Sequence, residues 1–359
     1  MSDPARTIER LWDGTGLVAR VGRVLLAPAA GLYAAGIGVR NAAYGVGVLR
    51  SRAAAVRTVS IGNLRVGGTG KTPFTRWLAG QIQARGMAVA ILSRGYGGSA
   101  RTPHVVGDGA RVLSDVTRSG DEAVMLARTS GVPVVAGGDR AAAAALAVET
   151  FQSRLLLCDD AFQHRALRRD LDLVLVDAGE RGGVRRLLPV GPLREPLRAL
   201  RRAHVILVSE RDDAAGTLPI LAAHQRVLHV RFAPRALVQP VATGWEEIGL
   251  AALAGQRVLA VSAVARPAPI YRALRDWEAE LVHVLEYSDH HRYDTRDWQA
   301  IVAAAKDVDL IVTTEKDLVK LEAFPFARGK LLALRLGVDV EDADGLVTQV
   351  IGDAAPVAP

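Results

Sequence analysis

The segment with the clearest chemistry is a glycine-rich stretch that ends in a lysine and a threonine. It reads GNLRVGGTGKT over 62–72, after a β-branched run and before a helix-like stretch. Such a loop points backbone N–H groups at phosphate oxygens, while Lys71 reaches the outer phosphates and the Thr72 hydroxyl can bind magnesium. Arg65 stands where the usual spacing requires a glycine. The predicted nucleotide-binding residues are Gly67, Gly68, Thr69, Gly70, Lys71 and Thr72.

A pair of acidic residues supplies candidate magnesium ligands. In this kind of site an aspartate that helps to hold the metal ends a neighbouring hydrophobic strand. Asp159 and Asp160 directly follow the apolar run 155–158. Paired acids at such a point could instead form a solvated turn or cap the next helix. Together with the glycine-rich loop, they favour a metal site made of Thr72, Asp159 and Asp160.

The elements that must position these residues alternate between strands and helices. Predicted strands cover 56–61, 87–92, 132–136, 154–158, 172–176 and 204–208, with helices at 72–84, 121–129 and 139–150. A second series has strands near 257–262, 281–286 and 308–312 and helices near 267–279, 295–305 and 316–322. This alternation predicts an α/β fold, with a P-loop NTPase-type parallel sheet flanked by helices and a smaller second α/β domain.

Four segments follow from this pattern. They are an N-terminal basic and apolar helical segment (1–55), a P-loop domain (56–232), a second α/β domain with its hinge (233–335), and a C-terminal segment (336–359) that could return to the first domain. The stretch 232–256 contains prolines and glycines and is predicted to be the connection. Ligands are expected beyond the carboxyl ends of the strands and in the cleft between the domains.

The positive charge of the chain is concentrated at its N-terminus. The 359 residues carry a formal net charge of +7, and the sequence pI is about 9.9. Residues 1–57 hold eight arginines against three acidic residues, so they account for +5 of that charge. A second band, 165–202, contains ten arginines and is either a solvated face or a surface for phosphate groups. With Cys158 as the single cysteine, the chain can form neither an internal disulfide nor a multi-thiolate metal site.

An uncharged run, 24–39, lies between Arg23 and Arg40 within the basic segment. Its sixteen residues would reach about 24 Å as a helix, short of the ~30 Å of a bilayer core, and Pro28 weakens the helix. A full membrane span is therefore not expected, and acidic residues before the run argue against a cleaved signal peptide. Two alternatives stay open: a buried helix packed on the next domain, or an interfacial helix on an anionic membrane.

Several segments, in chain order, resemble one family, the tetraacyldisaccharide 4′-kinases of lipid A synthesis. They are GNL at 62–64, GGTGKTP at 67–73, SRGYG at 93–97, GDE at 120–122, DDAFQH at 159–164, LPVGPLREP at 188–196, DH at 289–290 and TTEKD at 313–317. Ala161 stands where the family commonly has glycine. The GG-x-GKT form of the loop also resembles the variant loops of ATPases and kinases related to the nitrogenase iron protein.

The resemblance implies an activity and a place in the cell. Members transfer the γ-phosphate of ATP, with Mg²⁺, to the 4′-hydroxyl of a tetraacyldisaccharide 1-phosphate, which forms lipid IVA in lipopolysaccharide biosynthesis. They act at the cytoplasmic face of the inner membrane. The implied architecture is a P-loop kinase core joined to a smaller α/β domain by a two-stranded hinge, with an N-terminal helix that touches the membrane. The implied partners are the lipid substrate and the anionic membrane surface, with no nucleic acid and no obligate protein partner.

The resemblance also implies roles for single residues. Asp121 paired with His290 would be the base, and Lys71 would neutralise the β and γ oxygens. Taken alone, Asp121 is more typical of a helix N-cap and His290 of a polar loop. The candidate substrate-binding residues inside the matching segments are Arg94, Tyr96, Arg194 and Glu195. Residues 314–317 receive no assigned step.

Two other functions compete with the kinase hypothesis. A non-kinase P-loop ATPase or GTPase, such as a metallochaperone or partitioning factor, would use the same loop without lipid dependence. A basic nucleic-acid-binding module would account for the high pI. Aromatic residues make up only 5% of the chain, so it lacks the stacking platforms that single-stranded nucleic acid requires.

Overall fold

Thirteen strands form one continuous sheet in the computed structural model of the chain. The structure describes residues 11, 12, 14, 16–177, 186–209, 224–242 and 244–352. The strands are β1 (Arg57–Asn63), β2 (Val89–Ser93), β3 (His104–Asp108), β4 (Pro133–Ala136), β5 (Leu155–Asp159), β6 (Leu171–Asp177), β7 (Val205–Ser209), β8 (Arg226–Val241), β9 (Gly244–Ile248), β10 (Arg257–Ser262), β11 (Glu280–Glu286), β12 (Leu310–Thr314) and β13 (Leu331–Val340).

Helices cover both faces of this sheet. They are α1 (Leu17–Gly45), α2 (Lys71–Gln83), α3 (Val116–Ser119), α4 (Asp121–Thr129), α5 (Arg140–Phe151), α6 (Ala268–Asp276), α7 (Thr295–Ala304), α8 (Glu315–Leu321) and α9 (Ala343–Ile351). Short 3₁₀ turns lie at Leu197–Arg202 and Leu250–Leu253. Every residue of β5, β6 and β7 is buried, as expected for strands with helices on both faces.

The predicted α/β fold is confirmed. Across the sheet the strands follow the order β11-β10-β12-β13-β8-β7-β6-β1-β5-β2-β4-β3, with β9 paired to β8. The first series is parallel apart from β3, so β1, between β5 and β6, ends at the same edge as its neighbours. The predicted strands of both series lie within two residues of the observed ones. Strands β3, β8, β9 and β13 were not predicted from the sequence.

Residues 232–256, the predicted connection, lie between the two series, and most of them form strands β8 and β9. The 16-residue strand β8 runs parallel to β7 and antiparallel to β13, so it joins the two series within one sheet. The predicted domain boundary at 232/233 falls inside this strand. Pro234 is tolerated because it lies next to an irregularity in the pairing of β8 with β13. Among the described residues, the antiparallel pairing of β8 with β13 is the only strand pairing that joins the two series.

The C-terminal residues pack on the first series. Leu346, Val347 and Val350 of α9 are fully buried in the same apolar cluster as residues of β1 and α2. The Arg57 guanidinium donates hydrogen bonds to the carbonyls of Val350 at 2.8 Å and Gln349 at 3.0 Å. The chain therefore leaves the first series at β8 and returns to it through β13 and α9. Residues 353–359 lie outside the described part.

The N-terminal apolar run is part of a longer helix than its composition suggested. Helix α1 has 29 residues, about 44 Å of length, and continues through Pro28. None of its residues is buried, so α1 is not the buried helix of the first alternative, although Tyr33 and Arg40 contact the first series. By length and composition α1 is long and apolar enough to cross a membrane, and the limit of 24 Å does not apply to it.

Candidate active site

The glycine-rich loop connects the end of β1 to the start of α2, as predicted. Gly70, with φ of 83°, is the residue before the helix, and Gly67 also has a positive φ of 106°. A side chain at Gly70 would strike the ring of Phe232, since a Cβ there would lie 2.4 Å from the nearest ring carbon. Glycine at this position lets the loop turn sharply against β8. The first N–H groups of α2 and its positive dipole end therefore face the cleft.

Hydrogen bonds from a neighbouring segment hold the loop in shape. The N–H of Val66 donates to the carbonyl of Pro192 at 2.9 Å, and the N–H of Arg194 donates to the carbonyl of Leu64 at 2.7 Å. Within the loop, the Asn63 amide donates to the Thr69 hydroxyl at 2.8 Å. The LPVGPLREP segment thus forms one wall of the phosphate loop.

Three charged side chains meet beside the loop. Arg194 Nη1 donates to both carboxylate oxygens of Asp160 at 2.8 Å. Lys71 Nζ lies 3.5 Å from the same carboxylate. Burial raises the pKa of Asp160, but the charges of Lys71 and Arg194 outweigh it and hold that pKa below its ordinary value. The lysine and arginine are thereby held next to the place where phosphates would bind.

The second aspartate of the pair has a different environment. Asp159 is 2% exposed, and its Oδ1 accepts a hydrogen bond from the Thr75 hydroxyl at 2.9 Å. Burial, followed by the nearby carboxylates of Glu122 and Asp160, raises the pKa of Asp159. A divalent cation beside Asp159 would relieve both effects, because its positive charge favours the ionised carboxylate.

The number of carboxylates near the loop agrees with magnesium chemistry. Among the described residues, no group of three or more His, Cys, Asp or Glu side chains is arranged to enclose a metal ion. Magnesium typically takes one or two protein carboxylates and completes its shell with water and substrate phosphates. Thr72 and Asp159 both line the cleft and offer oxygen atoms of the kind that magnesium prefers.

Asp121 and His290 come together from different series. Asp121 is the first residue of α4, and His290 lies in the loop after β11 with a left-handed φ of 59°. The imidazole Nδ1 lies 3.0 Å from each oxygen of the Asp121 carboxylate. Burial raises the pKa of Asp121, but the hydrogen bond from His290 and the charges of Lys316 and Lys320 lower it to about 2. Asp121 is therefore an ionised, 5% exposed acceptor for the imidazole.

A lysine holds the other ring nitrogen of His290. Lys316 Nζ lies 3.0 Å from His290 Nε2 and 3.0 Å from Asp289 Oδ1, with Glu122 at 3.7 Å. An ammonium group has no lone pair, so it can only donate to Nε2. In the neutral imidazole, Nε2 is then the acceptor and Nδ1 carries the proton donated to Asp121. This tautomer is the one that a general base acting through Nε2 requires.

One cleft of about 820 Å³ contains nearly all of the predicted site residues. Its walls include Gly67, Gly68, Thr69, Gly70, Lys71, Thr72, Arg94, Tyr96, Asp159, Asp160, Arg194 and His290. Asp121 lies behind His290. The Tyr96 ring packs edge-on against the His290 ring, with 5.0 Å between their centres. The second series supplies the opposite wall, so the cleft lies where the sequence predicts, beyond the strand ends and between the two series.

Glu195 is the predicted substrate-binding residue that the structure does not bring into the cleft. Its side chain is fully buried beneath α1, where it binds Arg40 and Arg202. The arginine band at 165–202 is also less uniform than its composition suggests. Arg169 pairs with Asp172, for example, while Arg181 and Arg185 lie outside the described residues.

Sequence reasoning missed several residues that shape the site. Lys316 lies in the TTEKD segment, so its motif was visible although its role was not. Thr75 could have been found because it is a polar residue on the buried face of α2. Arg140, which donates to the carbonyl of Asp159 at 3.0 Å, gave no signal, because it looks like any arginine that begins an alanine-rich helix.

Gly70 and Gly80 offer a matched test of the loop geometry. Gly70→Ala should destabilise the protein by about 1–3 kcal/mol, because it combines a positive φ with a clash against Phe232. Gly80→Ala, inside α2 with nothing within 4 Å of the added carbon, should stabilise it by up to about 1 kcal/mol. Urea denaturation measures both effects. Equal stability of the two variants would contradict the loop conformation described above.

The ion pair of Asp121 predicts a dependence of stability on pH. Its pKa is about 2 in the folded protein, against an ordinary value of 3.8. The ionised carboxylate therefore stabilises the fold above about pH 4, and this stabilisation is lost as the pH falls towards 2. Between pH 5 and pH 3, the unfolding free energy of the parent protein should fall by about 1 kcal/mol more than that of Asp121→Asn. Urea denaturation at several pH values measures this difference. The same pH dependence in both proteins would rule out the lowered pKa.

Comparisons with known proteins point to one family. The family model described as tetraacyldisaccharide-1-P 4′-kinase matches residues 22–353. A tetraacyldisaccharide 4′-kinase from Anaeromyxobacter sp. (strain Fw109-5) is 42% identical over 97% of this chain and 96% of its own length. Another, from Syntrophus aciditrophicus (strain SB), is 40% identical over 80% of this chain and 82% of its own length.

A solved structure is similar as well. The crystal structure of LpxK from Aquifex aeolicus in complex with ATP has 28% sequence identity and a TM-score of 0.76. The similarity covers 92% of this chain and 98% of that one. The fold, the cleft and the sequence comparisons lead to one conclusion, that this chain belongs to the tetraacyldisaccharide-1-P 4′-kinase family.

Proposed function

We propose that this protein transfers the γ-phosphate of ATP to the 4′-hydroxyl of a tetraacyldisaccharide 1-phosphate. The observation that carries the proposal is the meeting of two sets of residues in one cleft. The phosphate loop with Lys71 comes from the first series, and His290 reaches the same cleft from the second. A phosphate site and a correctly oriented base are the two parts that phosphoryl transfer to an alcohol requires.

The loop and its cations would hold the triphosphate. The backbone N–H groups before α2 bind phosphate oxygens, and Lys71 leaves Asp160 to neutralise the β and γ oxygens. Arg194 lies on the same side of the cleft and adds a second positive charge. Because phosphoryl transfer involves little covalent chemistry by the protein, this positioning and charge neutralisation carry most of the catalysis.

Thr72 and Asp159 are the residues that we assign to magnesium. Asp160 is engaged by Arg194 through both oxygens, whereas Asp159 is a buried carboxylate with a raised pKa beside two other carboxylates. When bound, magnesium supplies positive charge to the β and γ phosphates. The Thr75 hydroxyl orients Asp159 by donating to its Oδ1.

The proton of the acceptor would move to His290 Nε2. As the acceptor oxygen forms its bond to the γ-phosphorus, the bond from that phosphorus to the bridging oxygen breaks and ADP leaves. Asp121 accepts the Nδ1 proton in a hydrogen bond and stabilises the imidazolium that forms. The acceptor hydroxyl must take the place of Lys316 Nζ at Nε2, which leaves the ammonium beside the reacting groups.

Purified protein with ATP, Mg²⁺ and the disaccharide lipid tests this proposal directly. We expect a lipid product with a phosphate on the 4′ oxygen, located by NMR. Asp121→Asn and Lys71→Met should each lower kcat by at least about 100-fold while the protein stays folded. Lys306→Met removes an exposed lysine that does not line the cleft, so it should leave the rate unchanged.

Two outcomes would overturn the kinase assignment. ATP hydrolysis without phosphorylated lipid would favour the non-kinase ATPase alternative. Normal rates in both Asp121→Asn and Lys71→Met would remove the proposed site.

We further propose that α1 lies on the cytoplasmic face of the inner membrane. Its outward side carries large apolar residues that no other part of the described chain covers, including Leu25 at 74% and Leu32 at 78% exposure. Exposed apolar side chains on one side of a helix favour the interface between lipid headgroups and acyl chains. A membrane-bound enzyme would also meet an acylated substrate in the layer where that substrate dissolves.

Vesicle flotation tests this orientation. The double variant Leu25→Gln with Leu32→Gln should bind vesicles of phosphatidylglycerol at least about tenfold more weakly than the parent, because two leucines lose their burial in lipid. Leu113→Gln changes an equally large side chain, 53% exposed, outside α1, and should bind as the parent does. Equal flotation of all three proteins would contradict membrane contact by α1.

A further inference from the structure

The polar side of α1 is attached to the wall of the phosphate loop. Tyr33 donates its hydroxyl hydrogen to the carbonyl of Arg194 at 2.9 Å, and Arg40 donates to Glu195 Oε1 at 3.1 Å. These residues are seven apart, so they lie on one face of the helix, two turns from each other. The contacts end on two consecutive residues of the first series. Tyr33 and Arg40 of α1 thus bind the 194–195 segment at two points.

Glu195 is the buried end of this attachment. Its side chain is fully buried, and it pairs with Arg40 from α1 and with Arg202, at 2.6 Å, from the 3₁₀ turn that follows. A buried carboxylate needs such partners, because an uncompensated charge in the interior is costly. Since Arg202 remains when Arg40 is removed, the carboxylate keeps one cation. Removal of Arg40 therefore weakens the link to α1 without leaving Glu195 unpaired, while the Asn41 amide of α1 keeps a longer contact with Glu195 Oε2 at 3.5 Å.

The same segment faces the catalytic cleft on its other side. The N–H of Arg194 donates to the carbonyl of Leu64 in the phosphate loop at 2.7 Å. The Arg194 guanidinium holds Asp160 at 2.8 Å through both oxygens, and Asp160 lies 3.5 Å from Lys71 Nζ. Arg194 is thus in contact with α1 through its carbonyl and with the cleft through its side chain.

From this continuous set of contacts we propose that Tyr33, Arg40 and Glu195 are positioning residues, which couple the seating of α1 to the placement of Arg194 and Asp160 beside Lys71. The inference rests on the proposed function, because it assumes that the loop binds the triphosphate and that α1 contacts lipid. Seating α1 on a membrane then fixes the cations of the phosphate site. If α1 loses these contacts, the 194–195 segment can shift. Small displacements of groups that position a substrate lower the rate of catalysis.

Arg40→Met is the principal test, with Arg20→Met as its control. Arg20 is exposed on the same helix, so the control removes the same charge from α1 without touching Glu195. Rates are measured with detergent-solubilised acceptor, so that vesicle binding does not limit turnover. Magnesium-dependent binding of a non-hydrolysable ATP analogue is measured by calorimetry, and thermal denaturation reports on folding.

We expect Arg40→Met to lower kcat about tenfold relative to Arg20→Met and to weaken binding of the analogue several-fold. Arg40→Lys should restore part of both effects, because it returns the charge without the planar fork. Tyr33→Phe, which removes only the hydroxyl that holds the Arg194 carbonyl, should act in the same direction with a smaller effect. It also serves as the informative variant if Arg40→Met fails to fold.

The proposal is overturned if Arg40→Met and Tyr33→Phe match the control in kcat and in analogue binding and differ only in thermal stability. The ion pair between Arg40 and Glu195 would then have only a structural role. Failure of the proposed function has a different signature, since the parent protein itself would form no phosphorylated lipid. Even in that case the binding of the analogue still decides whether α1 is coupled to the phosphate site.

Discussion

The hydrogen bond between Asp121 and His290 is the interaction on which the rest of the site depends. It joins the first residue of α4 to a loop of the second series. It therefore forms only when the two series lie on opposite sides of the cleft. The lysines of α8 support it: Lys316 contacts Nε2, and Lys320 lies 3.6 Å from the Asp121 carboxylate. A base assembled from both walls of a cleft can act only on a substrate that is held between them.

Charge is the second organising feature. Cations and carboxylates alternate along the phosphate side of the cleft, from Lys71 through Asp160 to Arg194, and then behind it from Glu195 to Arg40. Each acidic group keeps a neighbouring cation in place before any phosphate arrives. The net charge of the chain therefore says little about its partner. The arrangement of the arginines matters more, because some face a cleft while others seat a helix.

The sequence predicted those parts of the fold that depend on local patterns. The phosphate loop and the buried parallel strands were found because glycine spacing and continuous apolar runs are local signals. Strand β8 was missed because Pro234 and Pro240 indicate a loop, whereas its pairing with β13 is decided by residues about a hundred positions away. The full extent of α1 was missed because its glycines and Pro28 lower helix propensity.

Site residues followed the same rule. Lys71, Asp159 and Asp160 could be placed from strand and loop signals, whereas Asp121 and His290 were brought together only by the family resemblance. Glu195 was assigned to the substrate because its motif suggested it, yet burial places it beneath α1. Lys316 had no assigned role, because nothing local shows that the first turn of α8 lies beside a histidine of another loop. Interactions between distant segments are what the sequence alone does not specify.

The decisive experiment is a crystal structure with a non-hydrolysable ATP analogue, magnesium and the disaccharide acceptor. We expect the acceptor hydroxyl oxygen within about 3.2 Å of His290 Nε2, with the γ-phosphate on its other side. We also expect that Asp121 still accepts a hydrogen bond from Nδ1. An acceptor hydroxyl bound to a different base, with His290 turned away from the γ-phosphate, would contradict it.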